Sequence, residues 1–264
     1  MKTRTFFFMA CILLLATSGF AQQNTIEGDG NIITKEISIS DYDEISYVGN
    51  VNIEYEQSNA SPYLKITTDG NILSHLDIKI KGKTLIIQPK DERIYFKGNS
   101  YGLNLKPTVC EIKTNSRELK DISAVGGGEF VAKTPLKVDR LNVDIAGSST
   151  INFDKRLEAR KIDFSVAGSG DINATRLKVD NLDCSVAGSG SVLLKDLSVA
   201  GGGDISAFGC VFRKVECSVA GGGDIEVYAA EQLDASIAGG GHIRYEGNPE
   251  LSKNVVGGGS IKKN

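Results

Sequence analysis

One short motif recurs eight times and constrains the fold more than any other feature of the chain. It runs apolar, small, glycine, two small residues, polar, apolar. The copies are Ala124–Phe130, Ile145–Ile151, Val166–Ile172, Val186–Val192, Val199–Ile205, Val219–Ile225, Ile237–Ile243 and Val255–Ile261. Their first glycines, at 126, 147, 168, 188, 201, 221, 239 and 257, are spaced by 21, 21, 20, 13, 20, 18 and 18 residues. A unit of this length cannot bury an apolar face alone, so neighbouring units must stack into a continuous core. The short interval before Gly201 reads as one trimmed coil.

Within a copy apolar and polar residues alternate, the period of a strand. In Leu182-Asp183-Cys184-Ser185-Val186 the first, third and fifth residues point inward and the other two outward. Aligned copies give one inward column of Ala124, Ile145, Val166, Val186, Val199, Val219, Ile237 and Val255. A second holds Ile122, Val143, Phe164, Cys184, Leu197, Cys217 and Ala235. Ile172, Leu177 and Val179 add further inward positions, so a coil has about three short strands. The glycines suit a tight corner, where positive φ or close backbone approach is needed, and stacked they form one continuous bend. A phosphate-cradling loop would need a helix after the glycines, and none follows. A calcium-binding nonapeptide repeat has half this period. The expected fold is all-β: a right-handed parallel β-helix, or solenoid, with Gly-cornered coils of roughly 20 residues, preceded by a β-rich N-terminal half.

That half alternates too. Ile45–Tyr55 is strand-like with a Gly49-Asn50 interruption, and Leu76–Ile80 and Leu85–Ile87 flank Lys81–Thr84 as a hairpin. Residues 93–104 read as an exposed loop, and Thr108–Ile112 as the strand leading into the first glycine coil.

Lys2 and Arg4, the apolar run Phe6–Ala16 and the small residues ending at Ala21 have the layout of a cleavable export signal. The run is too short to span a bilayer, so no membrane span is expected once the signal is cut. This divides the chain into a signal (1–21), a β-rich part (22–113) and the repeat solenoid (114–264). Loss of Lys2 and Arg4 takes the formal charge from −3 to −5. An acidic chain without basic clusters excludes nucleic acid as a partner. The expected location is the periplasm, the outer cell surface or the medium.

The combination of Tyr42–Gln57, Asp69-Gly70-Asn71-Ile72-Leu73, Gly82–Ile87 and the repeated Ala-Gly-Ser-Gly-Asp-Ile resembles the bacterial head GIN domain family of auto-transporter adhesins, over nearly the whole mature chain. The resemblance implies a β-helix-like fold and a cell-surface or periplasmic role, with no ligand attached to it. The repeats run to Lys263-Asn264, so no membrane barrel is expected after them.

The sharpest surface feature is an acidic column, Asp121, Asn142, Asp163, Asp183, Asp196, Glu216 and Asp234. Beside it runs a hydroxyl column, Ser123, Asp144, Ser165, Ser185, Ser198, Ser218 and Ser236. With coils about 4.8 Å apart, neighbouring carboxylates repel unless paired. The face could bind Ca²⁺ or a glycan, or it could be a solvated surface balanced by Lys161, Arg176, Lys178, Lys195 and Lys214. Asp171, Asp204 and Asp224 form a second ladder after the glycines, with Asp204 and Asp224 the weaker Ca²⁺ candidates. A polysaccharide lyase or hydrolase would need acids converging in a cleft, whereas these are spread one per coil. No catalytic residue, cofactor or metal site is therefore expected. His242 replaces Asp in one coil as a lone histidine.

Cys184 and Cys217 fall about two rungs apart, beyond disulfide reach, and read as buried thiols, while Cys110 and Cys210 stay open. The favoured function is an exported adhesin-like protein binding a glycan or another cell-surface or envelope component. The alternatives are a periplasmic structural protein and a polysaccharide-active enzyme. A weak end-to-end or dimer contact could form at the last coil, where Lys253, Lys262 and Lys263 should blunt the exposed edge.

Overall fold

The computed structural model describes residues 24–90, 94–96, 99–101, 103–194, 197–201 and 205–264. The expected signal segment lies outside these residues, as do Lys195, Asp196 and Asp204.

The first coil forms earlier than the glycine repeat suggests. Strands β3 (Glu44–Asn50) and β4 (Asn52–Gln57) meet at Gly49, the interruption noted in the sequence. They pair in parallel with β12 (Asp121–Gly127) and β13 (Glu129–Ala132), placing Gly126 on Gly49, Ile122 on Ile45 and Phe130 on Ile53. The stack continues through β14 (Leu136–Gly147), β15 (Thr150–Gly168) and β16 (Asp171–Gly188), each long strand bending around two faces of the solenoid. The expected inward columns appear in the register: Ile122, Val143, Phe164 and Cys184 are successive partners, as are Ala124, Ile145, Val166 and Val186. Burial of these columns is the main driving force for stacking. An aromatic file fills the interior, with ring centroids of Tyr55 and Phe130 5.8 Å apart, Phe130 and Phe153 6.4 Å, and Phe153 and Phe164 6.3 Å.

The corner glycines are required twice over. Gly168 has φ +126°, and a Cβ on it would strike the carbonyl oxygen of Gly147 directly beneath. That carbonyl instead accepts the backbone N–H of Ser169 at 2.8 Å. Each corner is thus hydrogen-bonded to the next through space that only glycine leaves open.

The remaining N-terminal strands cover the start of the stack. β11 (Cys110–Ser116) lies parallel to β4, β5 (Leu64–Asp69) antiparallel to β11, and β2 (Ile32–Ile37) antiparallel to β5. β6 (Leu76–Lys81) and β7 (Thr84–Pro89) form the expected hairpin, with β7 parallel to β3. The helical turn α1 (Gly70–Leu73) buries Ile72 against this layer. Asp69 has no exposed surface and accepts backbone N–H bonds from Gly30 at 2.9 Å and Thr108 at 2.8 Å, tying three segments together.

Three expectations need correction. The segment read as an exposed loop contains strands: β8 (Ile94–Phe96) pairs antiparallel with β9 (Asn99–Tyr101), and β10 (Leu103–Lys106) runs parallel to β1 (Asn24–Glu27). The β-branched and aromatic residues Ile94, Tyr95 and Phe96 explain the preference.

The glycines also do not form one continuous bend. β17 (Ser191–Leu194) stacks on Asp171–Ala174, but β18 (Leu197–Gly201) starts over Leu177 and Lys178 rather than over Cys184. β19 (Ile205–Gly221) then begins over Leu182 and Asp183. The 13-residue interval omits about one face of a coil, so the chain turns its glycine corner one face early. From there Gly201 and Gly221 pair, a Cβ on Gly239 would strike the Gly221 carbonyl, and Gly257 stands likewise over Gly239. Two glycine stacks result, Gly49 to Gly188 and Gly201 to Gly257, displaced by one face. The second is built from β18, β19, β20 (Asp224–Gly239), β21 (His242–Glu246), β22 (Glu250–Gly257) and β23 (Ser260–Lys263).

Cys184, read from the sequence as a buried thiol, is disulfide-bonded. It sits at the jog, where the strand carrying Ser206 departs from Asp183, so it is half-buried and within reach of a second chain segment. Cys217 is free and buried, as expected, and Cys110 is free and buried as well. Burial pushes the Cys110 thiol up to about 11 and that of Cys217 to about 12, so both stay protonated and unreactive. The Cys210 side chain lies outside the described residues.

Candidate functional site

Because the two stacks are displaced, the acid-and-hydroxyl columns divide into two patches. On the first stack Glu44, Asp121, Asn142, Asp163 and Asp183 are successive register partners, with Ser46, Ser123, Asp144, Ser165 and Ser185 beside them. On the second, Glu216 and Asp234 are partners, as are Ser198, Ser218, Ser236 and Asn254. This second column does not continue the first. Ser198 pairs with Lys178, which follows Glu158 and Lys137, so it prolongs a mixed-charge column on a neighbouring face. The Ser198 side chain is outside the described set.

The first patch has a defined electrostatic structure. Lys161 projects from the adjoining strand and its Nζ lies 2.9 Å from Asp163 and 2.5 Å from Asp183, bridging two rungs. This ammonium holds the Asp183 carboxyl below the usual range. The Asn142 amide Nδ2 donates to Asp121 at 3.3 Å. Asp144 is the exception. It stands where every other rung of that column carries serine, it is largely buried, and the Asp121 and Asp163 carboxylates flank it. Burial first, and the two like charges second, push its pKa up to about 6. The column was legible in the sequence; that one rung breaks it with a half-buried acid is the signal the sequence reading passed over.

In the second patch the Gln232 amide donates to Asp234 at 2.8 Å, and Glu216 is exposed. The aspartates after the glycines have a structural task. Asp171 Oδ1 accepts the Ser191 backbone N–H at 3.0 Å and its hydroxyl at 2.7 Å, and Asp224 Oδ1 accepts the His242 N–H at 3.1 Å. Each carboxylate closes the corner of the rung above it. Among the described residues, no group of three or more His, Cys, Asp or Glu is arranged to hold a metal ion.

Asp224, His242 and Ser260 are register partners and share the composition of a hydrolytic triad. Their wiring is different. His242 Nδ1 bonds the Ser260 hydroxyl at 2.9 Å, and Asp224 meets the histidine's backbone rather than its ring. With no carboxylate orienting the imidazole, the general-base relay is not assembled.

A groove of about 620 Å³ opens where the N-terminal layer meets the solenoid, lined by Gln57, Arg117, Glu118, Lys137, Val138, Asp139 and Arg160. Gln57 shapes it: Nε2 donates to the carbonyls of Arg117 at 2.9 Å and Lys137 at 3.1 Å, while Oε1 accepts the Lys137 N–H at 2.8 Å. Arg160 grips Asp139 in a bidentate pair. These residues come from segments outside the repeat, so no periodic signal marks them in the sequence.

Fold and surface together define a class: an all-β solenoid whose faces offer flat, periodic polar arrays in place of an enclosed reaction site. The chain belongs to the head GIN domain family, described as "Putative auto-transporter adhesin, head GIN domain", whose model matches residues 41–249. Three crystal structures are similar. One from Parabacteroides distasonis, described as a "putative lipid binding protein", is 44% identical with a TM-score of 0.63, covering 91% of this chain and 99% of its own. A "putative adhesin" from Parabacteroides merdae is 29% identical with a TM-score of 0.57, covering 91% and 99%. Another from P. distasonis is 28% identical with a TM-score of 0.58, covering 91% and 100%. Among curated proteins none matches the chain. No helix of the described residues is long and apolar enough to cross a membrane.

Proposed function

We propose that this chain is an exported, non-catalytic, adhesin-like protein that binds a glycan or an envelope component through the acid-and-hydroxyl face of its first stack. Asp144 carries the reading. A largely buried carboxylate set between two others disfavours folding at neutral pH, and such groups collect where a surface serves binding rather than stability. Family membership and the adhesin descriptions of the relatives support the same class. The disulfide at Cys184 supports an oxidising compartment, outside the cytoplasm. The unassembled Asp224–His242–Ser260 relay favours binding over hydrolysis.

A second reading follows from the relative described as lipid binding. The Gln57 groove has Arg117, Lys137 and Arg160 on its walls and only Val138 as an apolar side chain, a lining suited to an anionic headgroup more than to an acyl chain.

The test is a glycan array and a panel of anionic lipid vesicles, probed with residues 22–264. The face reading predicts glycan binding that falls at least about tenfold in Asp144→Ser/Asp163→Ser and persists in Glu216→Ser/Asp234→Ser. Glycan binding equal in both variants contradicts the assignment of the face. Vesicle binding lost in Arg117→Ala/Lys137→Ala favours the groove instead. Fractionation of the source cells distinguishes a periplasmic from a surface location.

A further inference from the structure

The two ends of the solenoid are built differently. The N-terminal end is covered by antiparallel strands and by α1. The rung Glu250–Lys263 has β20 and β21 on one side and, among the described residues, no strand on the other. Its apolar residues are accordingly uncovered, with Val255 39% and Val256 65% exposed.

The register assigns different places to the three lysines of this rung. Leu251, Lys253 and Val255 pair with Leu233, Ala235 and Ile237, all buried core residues, and Cys217 lies beneath Ala235 in the same column. Lys253 therefore occupies a core column. Lys263 pairs with Tyr245, which stands on Val227, another fully buried position, so it too ends a core column. Lys262 pairs with Arg244, on the outward side above Glu226. Lys253 and Lys263 are both exposed, their ammonium groups in water because nothing covers them.

We propose that Lys253 and Lys263 close this end of the solenoid against a second copy of the chain. A copy docking on the rung would satisfy its free backbone groups and bury its apolar residues, and an open parallel edge invites that pairing. It would also have to carry two ammonium groups into an apolar column, or four if the same ends met. A buried charge without a partner is strongly disfavoured. Charge at a core position blocks stacking through burial, whereas charge on the outer surface acts only through screened repulsion. Lys262 is thus not part of the guard.

The experiment uses residues 22–264 and measures mass against concentration by sedimentation equilibrium, with circular dichroism to confirm the fold. Lys253→Val/Lys263→Val should associate end to end at least about 100-fold more tightly than wild type, while Lys262→Val stays at the wild-type mass. If the valine pair does not fold, Lys253→Met/Lys263→Met, which keeps the stems and removes the charge, decides the matter. A folded double variant that keeps the wild-type mass overturns the proposal. Equal association of Lys262→Val overturns it as well, since net charge and not position would then be the cause.

Discussion

The two glycine stacks use one motif to make different solenoids. The first has coils of 20 and 21 residues and fills them with Tyr47, Tyr55, Phe130, Phe153 and Phe164; the second settles to 18 residues around Ala207, Cys217, Val227, Ala229 and Ala235. A wider ring needs larger side chains to reach native packing density, and a narrower one has no room for them. The surfaces differ in step. The first stack carries the contiguous acid column with Asp144 inside it, whereas the second carries Glu216 and Asp234 on a different face. Repeat length, core volume and surface chemistry change together at the 13-residue interval, so the interval separates two functional surfaces within one continuous core.

The largest effects should come from core volume. Phe153→Ala should cost about 4 kcal/mol in urea unfolding, against about 1 kcal/mol for Cys217→Ala in the second stack. Similar costs would mean that the second core is packed as heavily as the first. Next come the corners. Gly168→Val meets both positive φ and the Gly147 carbonyl and should cost about 3 kcal/mol. Gly240→Ala, where a Cβ meets nothing within 4 Å, should be neutral or stabilise by about 0.5 kcal/mol.

Asp144→Ser should stabilise the protein at pH 7 by about 1 kcal/mol, after discounting for partial solvent access. The sign follows from linkage. The folded pKa, about 6, lies above the unfolded value near 3.8, so the folded state holds the proton more tightly. Wild-type stability relative to the variant therefore rises as pH falls through 6, and the advantage of serine vanishes below about pH 4. A difference that does not change with pH would show that Asp144 is not the titrating group. Asp183→Asn, at an exposed ion pair, should shift stability by less than about 0.5 kcal/mol.

The parallel solenoid, its inward columns and its glycine corners were legible in the sequence because alternation and period state them directly. The first coil was less visible, since Gly49-Asn50 keeps only one glycine of the triplet. The displacement of the stacks was hidden for a different reason. Alignment places Leu197 beneath Cys184 by motif, but space places it on Leu177, and a motif cannot report which face of a coil has been omitted. The disulfide at Cys184 follows from that same displacement. Gln57 and its groove had no repeat to announce them.

The displaced second stack is tested most directly by cross-linking across the jog. Lys178 and Ser198 are register partners, whereas a single continuous stack would set Ser198 beside Ser185. Cysteines are placed at 178 and 198 in one variant and at 185 and 198 in another, with Cys110 and Cys217 replaced by alanine in both. Mild oxidation should join the first pair rapidly and leave the second open, read as a change in peptide mass after digestion. Rapid closure of the 185–198 pair, with 178–198 left reduced, would contradict the displaced stack and restore one continuous acid face.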